Sequence, residues 1–176
     1  MSVAADLCTG LRILLSPLFA WSLAVGGASP LPLALCVLAI VTDLADGRLA
    51  RASGRIRPGG RLFDHGADAM FLFPGLAVLA AAGRVPVILP LAATVAFALY
   101  CGDGWRRGRA ERRIALVPSR SGAAAGIANY TVAGAAAGAL WLQTNALDRA
   151  VYAAALATGA LNLAAAFERV HTWRRS

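Results

Sequence analysis

Four of the nine acidic residues lie close together in the sequence, in two pairs. Asp43 and Asp46 are three positions apart, and Asp64 and Asp68 are four positions apart. Both spacings place the two carboxylates of a pair on one face of a helix. Carboxylate oxygens are ligands that suit Mg²⁺, Mn²⁺ or Ca²⁺ rather than Zn²⁺. Four aspartates without a histidine could hold two such ions, an arrangement that clamps the attacking and leaving oxygens of a phosphoryl transfer.

The residues that follow the first acidic pair suit a substrate that contains phosphate. Gly47 and Ala50 lie one and two turns beyond Asp43 on the same helix face, where their small size would let a nucleotide approach the backbone. Arg51 can bind a diphosphate through two parallel hydrogen bonds. The alternative interpretation is a network of Asp–Arg ion pairs that stabilises a loop.

The elements that must position these side chains are membrane helices. The chain has 176 residues, of which 59% are hydrophobic, and a net charge of +8. Several apolar runs approach the roughly 20 residues that a bilayer-spanning helix needs. We predict an all-α integral membrane protein, with residues 1–176 forming a single transmembrane catalytic domain. The six predicted transmembrane helices are Leu11–Val25, Leu31–Leu49, Leu62–Ala82, Pro86–Cys101, Gly122–Leu142 and Leu147–Phe167.

The 17 arginines are unevenly distributed among the connections between these helices. Clusters follow the second and the fourth predicted helix and end the chain, whereas the opposite connections contain only Arg84 and Arg149. Cytoplasmic loops carry an excess of basic residues, so we predict that both termini and the acidic site are cytoplasmic. Because the arginines lie between apolar runs rather than on a soluble face, we do not expect nucleic acid as a partner.

The fifth predicted helix contains small residues at intervals of four positions, at Gly122, Gly126, Gly134 and Gly138. Such a smooth face allows close packing against another helix. The pattern leaves open whether that helix belongs to the same chain or to a second copy.

The stretch from Asp43 to Asp68 resembles the signature of the CDP-alcohol phosphotransferase family, D-x-x-D-G-x-x-A-R-x8-G-x3-D-x3-D. All eight fixed positions match, and Gly60 supplies the second glycine. Thr9 and Arg12 resemble the Thr-x-x-Arg motif that precedes the first helix in that family, which is a weaker similarity. The flanking helices and the chain length are similar to those of short prokaryotic members, which implies a prokaryotic cell membrane.

The resemblance implies a reaction and a fold. The phosphoalcohol group of a CDP-alcohol, such as the phosphatidyl group of CDP-diacylglycerol, would pass to an acceptor alcohol in phospholipid biosynthesis, and CMP would be released. The fold would be the six-helix CDP-alcohol phosphotransferase fold, assembled as a homodimer in membrane lipid.

The resemblance also implies roles for the residues of the motif. Two Mg²⁺ or Mn²⁺ ions per site would be held by Asp43, Asp46, Asp64 and Asp68. Asp68 would also be the general base that acts on the acceptor hydroxyl. The CDP moiety would contact Gly47, Ala50 and Arg51.

One departure from the family pattern concerns the substrate. The segment Asp64-His65-Gly66-Ala67-Asp68-Ala69 differs from the Asp-Pro-x-Ala-Asp-Lys of many bacterial members that use glycerol phosphate. It looks more like the Asp-His-Gly-Cys-Asp of choline and ethanolamine phosphotransferases, in which diacylglycerol is the acceptor. The resemblance therefore indicates the reaction type and leaves open whether the donor or the acceptor carries the lipid.

Several charged residues outside the motif allow two interpretations each. Arg112, Arg113 and Arg120 could bind a phosphate on the acceptor, or they could contact lipid head groups. We expect His65 to point to a different helix face from its immediate neighbour Asp64, and to have a packing or hydrogen-bonding role rather than a direct one. We expect Asp103, at the end of the fourth helix, to be a loop residue rather than a ligand. A cation transporter with its ion path through the acidic cluster is the alternative from another functional class.

Overall fold

The computed structural model describes residues 3–26, 28–52, 60–108 and 116–175, with side chains at 9–26, 28–45, 62–108 and 116–173. Within this part of the chain there are six α-helices and no β-strand, which confirms the predicted all-α fold. The helices are α1 (Val3–Val25), α2 (Leu31–Ala52), α3 (Gly60–Ala81), α4 (Ile88–Gly108), α5 (Arg120–Leu142) and α6 (Asn145–Arg175).

Four of these helices are long and apolar enough to cross a membrane over residues that the structure describes. They contain the segments Leu62–Ala81, Ile88–Gly108, Arg120–Leu142 and Asn145–Trp173. In α1 and α2 the described apolar stretches are shorter, Thr9–Val25 and Leu31–Ala45. The chain is therefore an integral membrane protein, as its hydropathy predicts.

Three helices continue beyond their predicted ends. The second runs to Ala52 rather than Leu49, and two others extend further. The fourth runs to Gly108 rather than Cys101, and the sixth runs to Arg175 rather than Phe167. The expectation that Asp103 lies in a loop was wrong, because this residue lies within α4 and is completely buried. Its carboxylate accepts hydrogen bonds from Arg107 of α4 and Arg169 of α6. These ion pairs let both helices extend past the point at which hydropathy alone ends them.

The helices pack in pairs around a core of large apolar side chains. α1 packs against α3 and α2, α4 packs against α6, and α5 packs against α6 and α2. The contact between α1 and α3 is close at Gly75, where a Cβ atom would overlap the ring of Phe19. At Gly159, between α4 and α6, a Cβ atom would lie 3.4 Å from Ile88, which is an ordinary van der Waals distance. Of the two glycines, Gly75 is therefore the one whose lack of a side chain sets an interhelical distance.

The small-residue face of α5 serves two purposes within one chain. A Cβ atom at Gly134 would lie 3.5 Å from the sulfur of Cys36, and one at Gly138 would lie 4.0 Å from Leu33, so this half of α5 packs on α2. Gly122 and Gly126, in the first half, are exposed and line an open cavity instead.

Candidate active site

Two residues of α1 contact three of the four aspartates of the motif. Arg12 is completely buried, and its Nη1 donates to Oδ1 of Asp43 at 2.7 Å and to Oδ1 of Asp68. The hydroxyl of Thr9 donates to Oδ1 of Asp64 at 3.3 Å. Because Thr9 and Arg12 are three positions apart, they lie on one face of α1. The structure therefore brings acids from α2 and α3 together on one side of α1.

Asp68 receives a further hydrogen bond from α5. The hydroxyl of Tyr130 donates to Oδ1 of Asp68 at 2.7 Å, so this oxygen accepts from both Tyr130 and Arg12. Sequence inspection did not single out Tyr130. The only signal is the polar triplet Asn129-Tyr130-Thr131 in a helix that is otherwise rich in glycine and alanine.

A cavity of about 630 Å³ lies next to Asp43 and Asp68, between helices α2 to α6. Most of its wall is apolar, with contributions from Leu72, Phe73 and Phe97. A volume of this order is typical of small-molecule sites. The two carboxylates therefore face a space that could hold the apolar part of a substrate.

His65 lies on the wall of this same cavity, whereas its immediate neighbour Asp64 is not among the lining residues, in agreement with the expectation that the two point to different helix faces. Its ring meets the ring of Tyr100 edge-on, with 5.6 Å between the ring centroids. The imidazole therefore borders the same space as Asp68.

A second polar cluster holds the helices around the cavity. Arg169 donates to Asp103 at 3.0 Å and to the backbone oxygen of Val117 at 2.9 Å, and it lies over the ring of Tyr100. Arg107 contacts both oxygens of Asp103 at 2.9 Å. The cluster thereby ties α4, α6 and the segment before α5 to one another. Although Arg169 belongs to the basic end of the sequence, it is only 9% exposed, and it also lines the cavity.

Several predicted site residues are placed less completely. Four of them lie in α2, with side chains outside the described residues: Asp46, Gly47, Ala50 and Arg51. Two others, Arg112 and Arg113, lie outside the described residues altogether. Arg120 is the first residue of α5; it is exposed and is not among the residues that line the cavity. The roles assigned to these residues stay predictions.

The aspartates that the structure describes fit hard divalent cations in charge and in donor chemistry. Asp43 and Asp68 both pair with the single guanidinium group of Arg12, so these carboxylates carry more negative charge than the guanidinium neutralises. The atoms that could bind an ion are carboxylate oxygens, which hard cations prefer. Among the described side chains, no three of His, Cys, Asp or Glu are close enough together to form a complete ion site. The side chain of Asp46, the fourth expected ligand, is outside that set. The two-ion site therefore stays a prediction.

Comparison with known families identifies the family of this chain. The family model described as CDP-alcohol phosphatidyltransferase matches residues 2–164, a range that contains α1 to α5 and most of α6. Members of that family are generally dependent on metal ions. Among curated proteins, none matches the sequence at a significant level.

Proposed function

The chain belongs to the CDP-alcohol phosphatidyltransferase family, and from this membership we propose that it transfers the phosphoalcohol group of a CDP-alcohol to an acceptor alcohol, releasing CMP. The donor we propose is CDP-diacylglycerol, which places the reaction in phospholipid biosynthesis. The observation that supports this proposal is the convergence of Asp43, Asp64 and Asp68 on one side of α1, with Asp43 and Asp68 beside a largely apolar cavity. Membership of the family favours a transferase over a cation transporter.

The donor would bind at the end of α2 and the start of α3. Gly47, Ala50 and Arg51 would contact the CDP moiety, and the diphosphate would lie near the acidic cluster. Two Mg²⁺ or Mn²⁺ ions would be held by Asp43, Asp46, Asp64 and Asp68. When bound, such ions neutralise the charge of the diphosphate and stabilise the leaving oxygen.

The acceptor would approach from the cavity, where Asp68 lies on the wall. Its hydroxyl oxygen forms a bond to the phosphorus that carries the donor alcohol. The bond between this phosphorus and the oxygen that bridges to CMP breaks, and CMP leaves. The hydroxyl proton passes to Oδ2 of Asp68, the oxygen that receives no hydrogen bond from another described residue. Asp68 is thus proposed as the general base.

A second substrate pair is supported by the wall of the cavity and by the segment Asp64-His65-Gly66. In this alternative, CDP-choline or CDP-ethanolamine is the donor, and diacylglycerol is the acceptor. The apolar side chains near Asp68 would then contact the hydrocarbon of the acceptor. The chemistry at phosphorus and the role of Asp68 are the same for both pairs.

The side of the membrane on which the reaction takes place is proposed from the distribution of arginines. Both termini and the active site would face the cytoplasm of a prokaryotic cell, because cytoplasmic connections generally carry the excess of basic residues. Homodimer formation is proposed on the resemblance to the family.

The test is whether the purified protein releases CMP in the presence of Mn²⁺. Two substrate pairs are offered: CDP-diacylglycerol with polar alcohols, and CDP-choline with diacylglycerol. Analysis of the lipid product identifies which substrate carries the hydrocarbon. No release of CMP with any pair would show that the proposed function is wrong. Full turnover in excess EDTA would contradict the ion site.

Two matched variants assign the activity to the acidic cluster. Asp43→Asn removes a proposed ion ligand and should abolish CMP release. Asp148→Asn makes the same chemical change at a carboxylate that pairs with Arg84 at 3.0 Å, on the far side of the predicted membrane, and should retain activity. Equal activity of the two variants would show that the reaction does not depend on the acidic cluster.

A further inference from the structure

Tyr130 holds a fixed position beside Asp68. Its ring stacks against that of Phe71, with 6.3 Å between centroids and 16° between planes, and Phe71 in turn stacks on Phe19 at 4.6 Å. The backbone oxygen of Tyr130 is 3.9 Å from the sulfur of Cys36 in α2. Packing from α1, α2 and α3 thus sets the place of the hydroxyl that donates to Asp68.

The two residues that donate hydrogen bonds to Asp68 differ in their other contacts. Arg12 donates through the same Nη1 to Asp43 and Asp68, so its position depends on both carboxylates. The Tyr130 hydroxyl donates to Oδ1 of Asp68 alone among the hydrogen bonds described. Any rearrangement of Asp43 during donor binding would therefore disturb the contact with Arg12 before it disturbed the contact with Tyr130.

The terminal torsion of an aspartate is broad, so its two oxygens exchange places easily unless hydrogen bonds restrain them. A general base must be aligned with the proton that it accepts. We propose that Tyr130 is a positioning residue for Asp68: by donating to Oδ1, it restrains the carboxylate so that Oδ2 faces the acceptor hydroxyl. This inference rests on the proposed function, because it concerns the base of that reaction.

The direct test is Tyr130→Phe, which removes the hydroxyl and keeps the ring stacked on Phe71. Loss of a residue that orients a reacting group typically costs about 10–100-fold in activity. We expect kcat to fall by about that factor, while the acceptor KM, the donor Kd measured by calorimetry and the Tm stay near the wild-type values. The matched control is Tyr152→Phe, because Tyr152 is exposed on α6 and does not line the cavity.

A double variant separates positioning from general damage. If Tyr130 acts through Asp68, then Tyr130→Phe should have little further effect on the rate in an Asp68→Asn background. The inference is overturned by an unchanged kcat in Tyr130→Phe. It is also overturned if donor affinity or Tm falls along with kcat, or if the same fold-loss recurs in the Asp68→Asn background.

An infrared measurement tests the contact without any turnover. In protein labelled with isotopic aspartate, the carboxylate band that disappears in Asp68→Asn should shift in Tyr130→Phe and not in Tyr152→Phe. An unmoved band means that Tyr130 does not hold Asp68. If the band shifts and the wild type releases no CMP, then the contact stands and the proposed function is what has failed.

Discussion

Replacing Asp103 by leucine should strongly destabilise the protein, because it leaves a buried cation without its partner. Arg169 is 9% exposed and would keep only the backbone oxygen of Val117 and the ring of Tyr100. Arg107 is more exposed and can turn towards water. Removing one partner of a buried ion pair costs about 3–5 kcal/mol. At about 2–4 °C per kcal/mol for a chain of this size, the Tm should fall by about 10 °C.

The assay is thermal unfolding in detergent at one fixed scan rate, with two further variants. Adding Arg169→Met to Asp103→Leu removes the stranded charge and should recover part of the lost Tm. Asp148→Leu breaks the exposed pair with Arg84 and should cost about 1 kcal/mol or less. An unchanged Tm in Asp103→Leu, or a double variant less stable than Asp103→Leu, would refute the account of this cluster.

Three further predictions concern the site and its orientation. Asp68→Asn keeps the oxygen that accepts both hydrogen bonds but cannot take a proton. CMP release should therefore fall by about 10²–10⁴-fold, while the donor Kd changes by less than about tenfold. Loss of donor binding together with turnover would instead make Asp68 chiefly an ion ligand. Cysteines substituted at positions 56 and 110 should resist a membrane-impermeant reagent in intact cells, and ready labelling would overturn the cytoplasmic assignment. Alanine at Arg112, Arg113 or Arg120 should raise the acceptor KM by about ten- to a hundredfold if that arginine holds an acceptor phosphate, whereas no change at any of the three favours the lipid-surface interpretation.

The features that could be predicted from the sequence are those encoded locally. Helix periodicity predicts that Asp64 and Asp68 share a face of α3, and both contact α1. Hydropathy indicates six helices. The motif of eight residues identifies the family, which the match over residues 2–164 confirms. Each of these signals is contained in one segment of the chain, so no knowledge of tertiary packing is needed.

The features that could not be predicted depend on partners far apart in the sequence. A charged or polar residue in an apolar helix requires a partner, but the sequence does not say which one. Arg169 pairs with Asp103 across 66 positions, and Tyr130 contacts Asp68 across 62 positions. The ends of α4 and α6 were misplaced for the same reason, because the ion pair that sustains them is not local.

The buried position of Arg12 has a consequence for how the chain enters the membrane during synthesis. Arg12 lies near the start of the apolar stretch Thr9–Val25, where an arginine costs less than the roughly 2.5–3.5 kcal/mol that it costs at the centre of an isolated membrane helix. Its carboxylate partners follow 31 and 56 residues later, in α2 and α3. When α1 first reaches the membrane, neither partner has entered it. We therefore expect α1 to reach its final position only when α3 has arrived, so that the first three helices form one charge-compensated unit.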